Sequence, residues 1–364
     1  MTKKKRVAII GAGIFGITIG TELAHDLDVD IFDKSNTILS GATYANHNRH
    51  HYGFHYPRSD LTVEQCSTSR FSFEKKFGKT LFKKFSNYYA VAKINSLINF
   101  DDYILFLKRN DLKFKEVITP SIFNKKLIDG CVLVDEPIYD YDFLLKCIQR
   151  NINDLKNNIN IYLNHEVTKI DVSNNKKKLT IINKSNETVK KYDFVIDCSY
   201  GQTNKIRQLL NQNSKDLQFN LQELSIIKIK KHDKFGATIV DGMFPSILPM
   251  GHTDYYLFAH AEESILKREV NKSFKSILSN QIYIETNWKK IFEQSVQFLP
   301  ILKNAEYIKS IITDRIVDHN NKKNDDRVSE ITYLGNGCWS IFSAKVITCV
   351  YIAKQLKELI KNQL

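Results

Sequence analysis

The sequence RVAIIGAGIFGITIGTELAHDLDVDIFD, residues 6–33, predicts a short apolar strand, a glycine-rich turn, a helix and a second strand. The turn contains Gly11, Gly13 and Gly16 in the spacing GxGxxG. In a β-α-β unit these glycines allow a tight turn, a close approach of a pyrophosphate to the backbone, and helix–strand packing. Asp33 ends the second strand, where an acidic side chain accepts hydrogen bonds from ribose hydroxyls. The stretch therefore predicts a bound dinucleotide rather than an ordinary glycine-rich turn.

The same stretch imitates a secretory signal, because basic residues 3–6 precede an apolar run. The run instead carries the helix-packing glycines, lacks a small-residue cleavage site, and is followed by Asp26, Asp28 and Asp30. These features indicate a cytoplasmic protein that begins near this point. No apolar run approaches the roughly 20 residues that a membrane-spanning helix needs, so we expect no integral membrane segment.

The bulk composition suits a globular protein of about two domains. The chain has 364 residues, of which 43% are hydrophobic, and a net charge of +13. Because its lysines are spread along the chain and no nucleic-acid-reading motif is present, a general lysine-rich bias is favoured and no nucleic-acid partner is predicted. A basic funnel for an anionic substrate remains the alternative. No two of the six cysteines have CxxC spacing, which indicates reduced thiols.

The rest of the chain predicts a parallel sheet and an antiparallel sheet. Helices are expected at 61–77, 101–109, 140–155 and 276–298. Strands are expected at 85–93, 159–164, 167–172, 178–183, 188–192, 308–318 and 331–334, with a buried parallel strand at 193–199. Strand-like runs separated by polar turns over 221–300 predict the antiparallel sheet. The glycine-rich turn at 335–337 precedes a predicted final helix, 343–359.

Three further segments extend the glycine motif: Ser40-Gly-Ala-Thr43 with Asn46, Asp197-Cys-Ser-Tyr-Gly201, and residues 335–344. Together with residues 6–33 they resemble the D-amino-acid-oxidase-like, or glycine-oxidase-like, FAD-dependent oxidoreductases. The family more often has Glu at Asp33 and Ser at Thr43, and it often has glycines where this chain has Cys338 and Ser340.

The resemblance implies the cofactor, the fold class and the domains. The fold is expected to be α/β, with a Rossmann-like FAD-binding domain (1–85, 140–220 and 305–364) and an inserted antiparallel-sheet substrate domain (86–139 and 221–304). The residues implied to bind FAD are Gly11, Gly13, Phe15, Gly16, Asp33, Lys34, Gly41, Ala42, Thr43, Asn46, Val167, Ser199, Gly201, Gly335, Ile341, Phe342, Ser343 and Ala344.

The segment NHNRHHYGFHYPRS, residues 46–59, is similar to the active-site segment of L-2-hydroxyglutarate dehydrogenase-like members. On that register His51 matches the family histidine and Tyr56 the following tyrosine, which makes His51 the first candidate for a catalytic base. His50 and His55 are the alternative bases, and strand alternation would place His51 and Tyr56 on opposite faces unless a turn intervenes. Histidines packed in a loop and a covalent histidine–flavin link remain open. No metal site is predicted, because carboxylates and cysteines at ligand spacing are missing.

An anionic substrate would need a cationic partner, and several candidates occur. Arg49 is preferred because its neighbours match the catalytic segment. His55 and Tyr256 are further candidates for contacts with the substrate. The other cationic candidates are Arg58, Arg315, Arg327 and Lys345.

The predicted activity is oxidation of a C–H next to nitrogen or oxygen in a small polar, anionic amine or hydroxy acid, by hydride transfer to flavin. The alternatives are a flavin-dependent mutase of the UDP-galactopyranose mutase type, an NAD-dependent dehydrogenase and a non-enzymatic binding module. The electron acceptor is not predicted, and the protein is expected to be a monomer or a homodimer.

Overall fold

The computed structural model describes residues 4–173, 176–230, 232–271, 284–319 and 326–363. The strands in these ranges are β1 (Arg6–Ile10), β2 (Asp28–Asp33), β3 (Leu81–Phe82), β4 (Ser86–Ala92), β5 (Phe114–Glu116), β6 (Ile128–Val134), β7 (Ile138–Tyr139), β8 (Ile159–Leu163), β9 (Glu166–Ser173), β10 (Lys176–Asn183), β11 (Asn186–Tyr192), β12 (Phe194–Asp197), β13 (Leu217–Ile229), β14 (Phe235–Val240), β15 (Pro245–Pro249), β16 (Tyr255–His260), β17 (Ile265–Asn271), β18 (Ala305–Asp318), β19 (Glu330–Gly335) and β20 (Cys338–Phe342). The α-helices are α1 (Ile14–Leu23), α2 (Asp60–Phe77), α3 (Phe100–Arg109), α4 (Tyr141–Asp154), α5 (Thr203–Leu209), α6 (Trp288–Val296) and α7 (Cys349–Lys361).

A six-stranded sheet forms one half of the molecule, with strand order β19-β20-β12-β1-β2-β8. All its pairings are parallel except that of β19 with β20. The apolar runs of β1 and β12 are buried, as expected of parallel strands covered on both faces. The carboxyl ends of the parallel strands therefore meet at one edge, which is where open α/β sheets bind their ligands.

Helices cover one face of this sheet and form its largest core. Ile17 of α1, Phe73 of α2, Leu144 of α4 and Ile352 of α7 are all buried in one apolar cluster. On the other face, the three antiparallel strands β9–β11 contribute Val167 and further apolar side chains to a second cluster. Together these layers hold the N-terminal β-α-β unit rigidly in place.

A nine-stranded sheet forms the other half, with order β17-β13-β16-β15-β14-β4-β6-β5 and with β18 paired to β13. Most of its pairings are antiparallel, but β4 and β14 are parallel. One face packs against α6 around Phe258, Ile291 and Leu299. The opposite face is turned toward the carboxyl edge of the six-stranded sheet, and the space between the two sheets contains the candidate site.

The predicted fold class, a Rossmann-like half combined with an antiparallel-rich sheet, is confirmed. The predictions for α2, α3, α4, β8 and the meander β9–β11 are confirmed to within two residues or so, because long periodic segments bounded by polar turns are distinctive. Among the described residues, no helix is both long and apolar enough to cross a bilayer.

The C-terminal prediction was wrong in part. Residues 338–342 form the parallel strand β20, and the last α-helix begins at Cys349 rather than at Ser343. The predicted helix at 276–298 is found as α6 only from Trp288 onward, while residues 284–287 are not helical and 276–283 lie outside the described residues. The strand at 305–318 pairs along the whole of β13 in the nine-stranded sheet. The division into domains remains a prediction.

Candidate functional site

A cavity of about 680 Å³ lies between the two sheets. This volume is within the usual range of small-molecule and cofactor sites. Most of the residues that the sequence predicted as cofactor contacts line it, namely Gly11, Gly13, Phe15, Asp33, Lys34, Gly41, Ala42, Thr43, Asn46, Val167, Ser199, Ser343 and Ala344.

The glycine-rich turn has the geometry of a phosphate cradle. Gly11 has φ +111°, and a Cβ there would lie 2.4 Å from the carbonyl oxygen of Cys198. A Cβ at Gly16 would lie 1.9 Å from the carbonyl oxygen of Gly11, so this glycine is required by packing. A Cβ at Gly13 would meet only the Oγ1 of Thr43, at 3.6 Å. Gly13 therefore leaves open space at the N-terminus of α1, where unpaired N–H groups favour an anion.

Asp33 and Thr43 fix the backbone around that cradle. The Oδ2 of Asp33 accepts a hydrogen bond from the backbone N–H of Ala12 at 2.6 Å, and its Oδ1 accepts one from Ser35 at 2.7 Å. The Oγ1 of Thr43 accepts from the N–H of Ile14 at 3.2 Å. Each acceptor oxygen retains a second lone pair for a ligand hydroxyl.

A buried carboxylate holds the end of β12 against the cavity. Asp197 accepts hydrogen bonds from the backbone N–H of Ser199 at 2.9 Å and from its hydroxyl at 2.5 Å. The hydroxyls of Thr203 and Ser340 donate to its other oxygen at 2.6 and 2.7 Å. Burial raises the pKa of Asp197, and these hydrogen bonds act in the opposite direction.

Several predicted site residues do not line the cavity. Gly335 is the last residue of β19 and pairs with Cys338, at the end of β20 opposite Ser343. Tyr256 faces the α6 side of its sheet, where its ring centroid is 5.3 Å from that of Phe235. The others contact the protein itself, namely Gly16, buried beneath the turn, Gly201, half-buried beside Ile316, and Ile341 and Phe342, buried in apolar clusters.

A turn in residues 51–56 brings the predicted catalytic side chains together. Gly53 has φ +115°, and its carbonyl oxygen accepts from the N–H of Tyr56 at 2.9 Å. The ring centroid of Tyr56 lies 5.5 Å from that of His51 and 5.2 Å from that of His55. The Nζ of Lys345 lies 4.1 Å from the centre of the Tyr56 ring. We call His51, His55, Tyr56 and Lys345 the histidine–lysine cluster, and all four residues line the cavity.

His50 points away from this cluster. Its Nε2 lies 3.2 Å from Oε1 of Glu74, its ring packs on Phe73, and it does not line the cavity. His47 lines the cavity, but its Nε2 lies 3.3 Å from the carbonyl oxygen of Ser246. Of the alternative bases, the structure therefore leaves His55 beside His51.

Burial sets the protonation of the histidine–lysine cluster. It lowers the pKa of both His51 and His55 well below the ordinary value, and the charge of Lys345 adds to the effect. Burial and the charge of Arg49 lower the pKa of Lys345 to about 7. The Nδ1 atoms of His51 and His55 are buried and have no hydrogen-bond partner within the described part of the chain. The cluster thus combines neutral imidazoles with an amine that titrates near neutrality.

The guanidinium of Arg49 is bound by protein side chains rather than left available to bind a substrate anion. Its Nη1 contacts the hydroxyl of Tyr89 and lies 3.3 Å from Oε2 of Glu136. Its Nη2 donates to the hydroxyls of Thr238 at 2.8 Å and Ser246 at 3.0 Å. Burial raises the pKa of Glu136, although Arg49 acts against this. Four of the five guanidinium N–H groups are thus directed at protein acceptors, which argues against the predicted role of Arg49 as an anion anchor.

The other predicted cations line the same cavity. Arg58 binds the carboxylate of Asp241, and the Nη1 of Arg315 lies 3.5 Å from Oε1 of Gln222. Arg327 also lines the cavity. Sequence reasoning missed Glu136 and the titration of Lys345, since no spacing marks a residue whose properties come from burial by distant segments.

The comparisons with known proteins agree with this geometry. A family model described as "FAD dependent oxidoreductase" matches residues 6–303. The chain therefore belongs to this family, and it is an FAD-dependent oxidoreductase. The "FAD-dependent monooxygenase FPY4" of Fusarium mangiferae is 24% identical over 378 residues, which cover 98% of this chain and 91% of that protein.

Solved structures share the fold. Glycine oxidase from Bacillus cereus is 15% identical, with a TM-score of 0.75 over 99% of this chain and 96% of that one. L-α-glycerophosphate oxidase from Mycoplasma pneumoniae, solved with FAD bound, is also 15% identical, with a TM-score of 0.75 over 99% of this chain and 95% of that one. The open cradle at Gly13 and the cavity fit the FAD that the family uses.

Proposed function

We propose that the protein oxidises a C–H next to nitrogen or oxygen in a small polar, anionic amine or hydroxy acid. The observation that carries this proposal is the histidine–lysine cluster, which presents neutral nitrogen bases to a cavity lined by arginines. FAD, when bound, supplies the hydride acceptor. The residues proposed to hold it are the cavity-lining members of the predicted set, with the phosphates at Gly13 and the adenosine near Asp33, Val167 and Ser199.

The bases in the cluster would take the proton that leaves the substrate's N–H or O–H. His51 lines the cavity, and burial lowers its pKa well below the ordinary value, so its neutral imidazole can accept a hydrogen bond from the reacting group. Lys345 has a pKa of about 7, near the value at which a general base is most effective. Either nitrogen suits the role, and we propose that His51 orients the reacting group while Lys345 accepts the proton.

Positive charge near the cluster would hold the substrate's anionic group. Arg315 and Arg327 line the cavity and carry charge at all physiological pH values. Arg58 forms an ion pair with Asp241, so it would contribute less to binding the substrate's anionic group. Arg49, whose Nη1 and Nη2 contact Glu136, Tyr89 and two further hydroxyls, is proposed to orient the turn that carries His51 rather than to bind substrate.

Anaerobic reduction of the bound flavin tests this function directly. A panel of small amino acids and 2-hydroxy acids is mixed with the holoenzyme, and the flavin absorbance is followed. Reduction by at least one member is expected, and His51→Ala and Lys345→Met should each slow it by about 10²–10⁴-fold while the flavin stays bound. Reduction by none of these acids would overturn the proposed substrate class.

A second candidate is an oxygen-inserting reaction, because the Fusarium relative is named a monooxygenase and aligns along almost the whole chain. The two candidates differ in the source of electrons. A monooxygenase would need an added reductant such as NADPH and would put one oxygen atom of O₂ into its product, whereas the main candidate is reduced by substrate alone. Membership of the FAD family argues against the NAD-dependent alternative.

The cytoplasmic location and the monomeric or homodimeric state remain predictions.

A further inference from the structure

Three amide side chains form a row on the cavity face of β13. Gln218, Asn220 and Gln222 occupy alternate positions of the strand and all line the cavity. Their odd-numbered neighbours point the other way, where Leu217 and Phe219 pack in an apolar cluster. We call Gln218, Asn220 and Gln222 the amide wall.

The amide wall has unused hydrogen-bonding capacity. The Nε2 of Gln218 donates to Oδ1 of Asn220 at 2.9 Å, which links the two side chains and fixes their orientation. Gln218 is 7% exposed, and its Oε1 is buried without a hydrogen-bond partner among the described residues. A buried acceptor left unpaired is costly, so a hydroxyl that enters beside Gln218 and pairs with this oxygen would relieve that cost.

The wall lies beside the residues proposed to react with substrate. Asn220 pairs in register with Arg315 of β18, and the Nη1 of Arg315 lies 3.5 Å from Oε1 of Gln222. The charge of Arg315 also lowers the pKa of His55. A substrate whose acidic end contacts Arg315 would therefore extend along the amides.

Resting on the proposed function, we propose that the amide wall recognises a hydroxyl-rich tail, so that the substrate is a polyhydroxylated acid or amine of at least hexose size. A side-chain amide both donates and accepts, as a hydroxyl does, and the two match without any net charge. An apolar tail would leave Oε1 of Gln218 unpaired, and a second anionic group would be better served by arginine. The wall spans five residues of a strand, from Gln218 to Gln222, or about 13 Å, which is longer than a two- or three-carbon acid.

The test compares three 2-hydroxy acids that share a reacting group. Glycolate has no tail, while D-gluconate adds a chain of hydroxyls, and D-galactonate varies their stereochemistry. Dissociation constants are measured with the holoenzyme from the perturbation or reduction of the flavin spectrum. At least one of the two sugar acids should bind tenfold or more tightly than glycolate.

Two variants then test whether the amide wall causes the preference for sugar acids over glycolate. Gln218→Leu and Asn220→Leu keep the side-chain size but remove the amide, and each should reduce the sugar-acid preference to within about twofold. Gln297→Leu, at an exposed position directly after α6 and outside the cavity, makes the same chemical change and should leave the ratio as in the wild type.

The outcomes separate this inference from the proposed function. Flavin reduction by glycolate with no tighter binding of either sugar acid would overturn the amide wall and retain the function. A different result would retain the amide wall and overturn the proposed function. In that case no acid reduces the flavin, but the sugar alcohol sorbitol binds to the holoenzyme and the Leu variants lose that binding. Loss of FAD from the Leu variants, or no binding of any hydroxylated probe, would overturn the inference.

Discussion

At the scale of single residues, the environment determines what a side chain does. Arg49 and Lys345 are both cations at the cavity, but Arg49 is surrounded by acceptors and Lys345 by an aromatic ring and two imidazoles. The sequence predicts the positions of both residues near the site. It does not predict their partners, because Glu136, Tyr89 and Thr238 come from three distant segments.

Removing the carboxylate that balances Arg49 should destabilise the protein strongly. Glu136→Gln would leave a buried guanidinium without its counter-charge, and breaking a buried pair costs about 3–5 kcal/mol. The free energy of unfolding is measured by urea denaturation of the holoenzyme. Glu330→Gln, which removes the half-exposed partner of Lys215, should cost under about 1 kcal/mol. Equal decreases in the free energy of unfolding of the two variants would show that Glu136 is not the essential counter-charge of Arg49.

Lys345→Met should make the protein more stable, with a defined pH dependence. The pKa of Lys345 falls from 10.5 to about 7 in the folded state, so the unfolded state binds the proton more tightly between these values. The increase in the free energy of unfolding that results from removing the amine is therefore fully present below pH 7 and disappears as the pH rises toward 10.5. Thermal melts across this range should show a rise of several degrees in Tm at low pH. Lys354→Met, at an exposed position of α7, should show no such trend.

Gly13→Val should abolish FAD retention without unfolding the apoprotein. A Cβ at Gly13 meets only the Oγ1 of Thr43, at 3.6 Å, so we expect the empty fold to accommodate valine, whose side chain would occupy the space proposed for the pyrophosphate. The flavin content after purification and the far-ultraviolet circular dichroism of the apoprotein are the measurements. Gly78→Ala, a glycine with open space outside the cavity, should retain full FAD. Full occupancy in Gly13→Val would place the cofactor elsewhere.

At the scale of elements, local pattern predicts regular segments and misses irregular ones. The β1-α1-β2 unit and helices α2 to α4 follow from periodicity and glycine spacing in residues that are close in sequence. β20 was not predicted because CWSIF is short and buried, and it becomes a strand through its pairing with β12 and β19. The turn at 51–56 likewise depends on Val63, which packs against Gly53 from another element.

Gly53→Ala should disrupt this turn and separate His51 from Tyr56. The φ of +115° is unfavourable for alanine, and its Cβ would lie 2.8 Å from Cγ1 of Val63. FAD should remain bound, while substrate-driven flavin reduction in rapid-mixing experiments slows by at least about tenfold. Combining the change with Val63→Ala relieves the steric contact but not the backbone strain. Full recovery of the rate in the double variant would show that the backbone conformation of Gly53 is unimportant.

At the scale of the whole molecule, the site exists only because two sheets face each other. Its walls come from the first sixty residues, from the start of β9, from the segment after β12, from strands between β13 and β18, and from the segment after β20. The resemblance of four short motifs to a known family was enough to predict the FAD half of this assembly. The amide wall, by contrast, consists of alternate residues of one strand, and nothing local distinguishes them from ordinary polar positions.

A cofactor held between the sheets should stabilise both halves together. The chain has two tryptophans, Trp339 buried in the six-stranded sheet and Trp288 on α6 against the nine-stranded sheet. Trp288→Phe and Trp339→Phe therefore each leave one fluorescent reporter in a known half. Because a ligand that binds only the folded state stabilises it by about 2.7 kcal/mol at a hundredfold excess over Kd, added FAD should raise the Tm of each variant. The Tm of each variant with FAD is compared with the Tm of its own apoprotein, so that the effect of the substitution on stability cancels. The increase in Tm on adding FAD should be the same in the two variants. A rise seen by Trp339 alone would mean that the cofactor contacts only the six-stranded sheet and that the nine-stranded sheet unfolds independently of it.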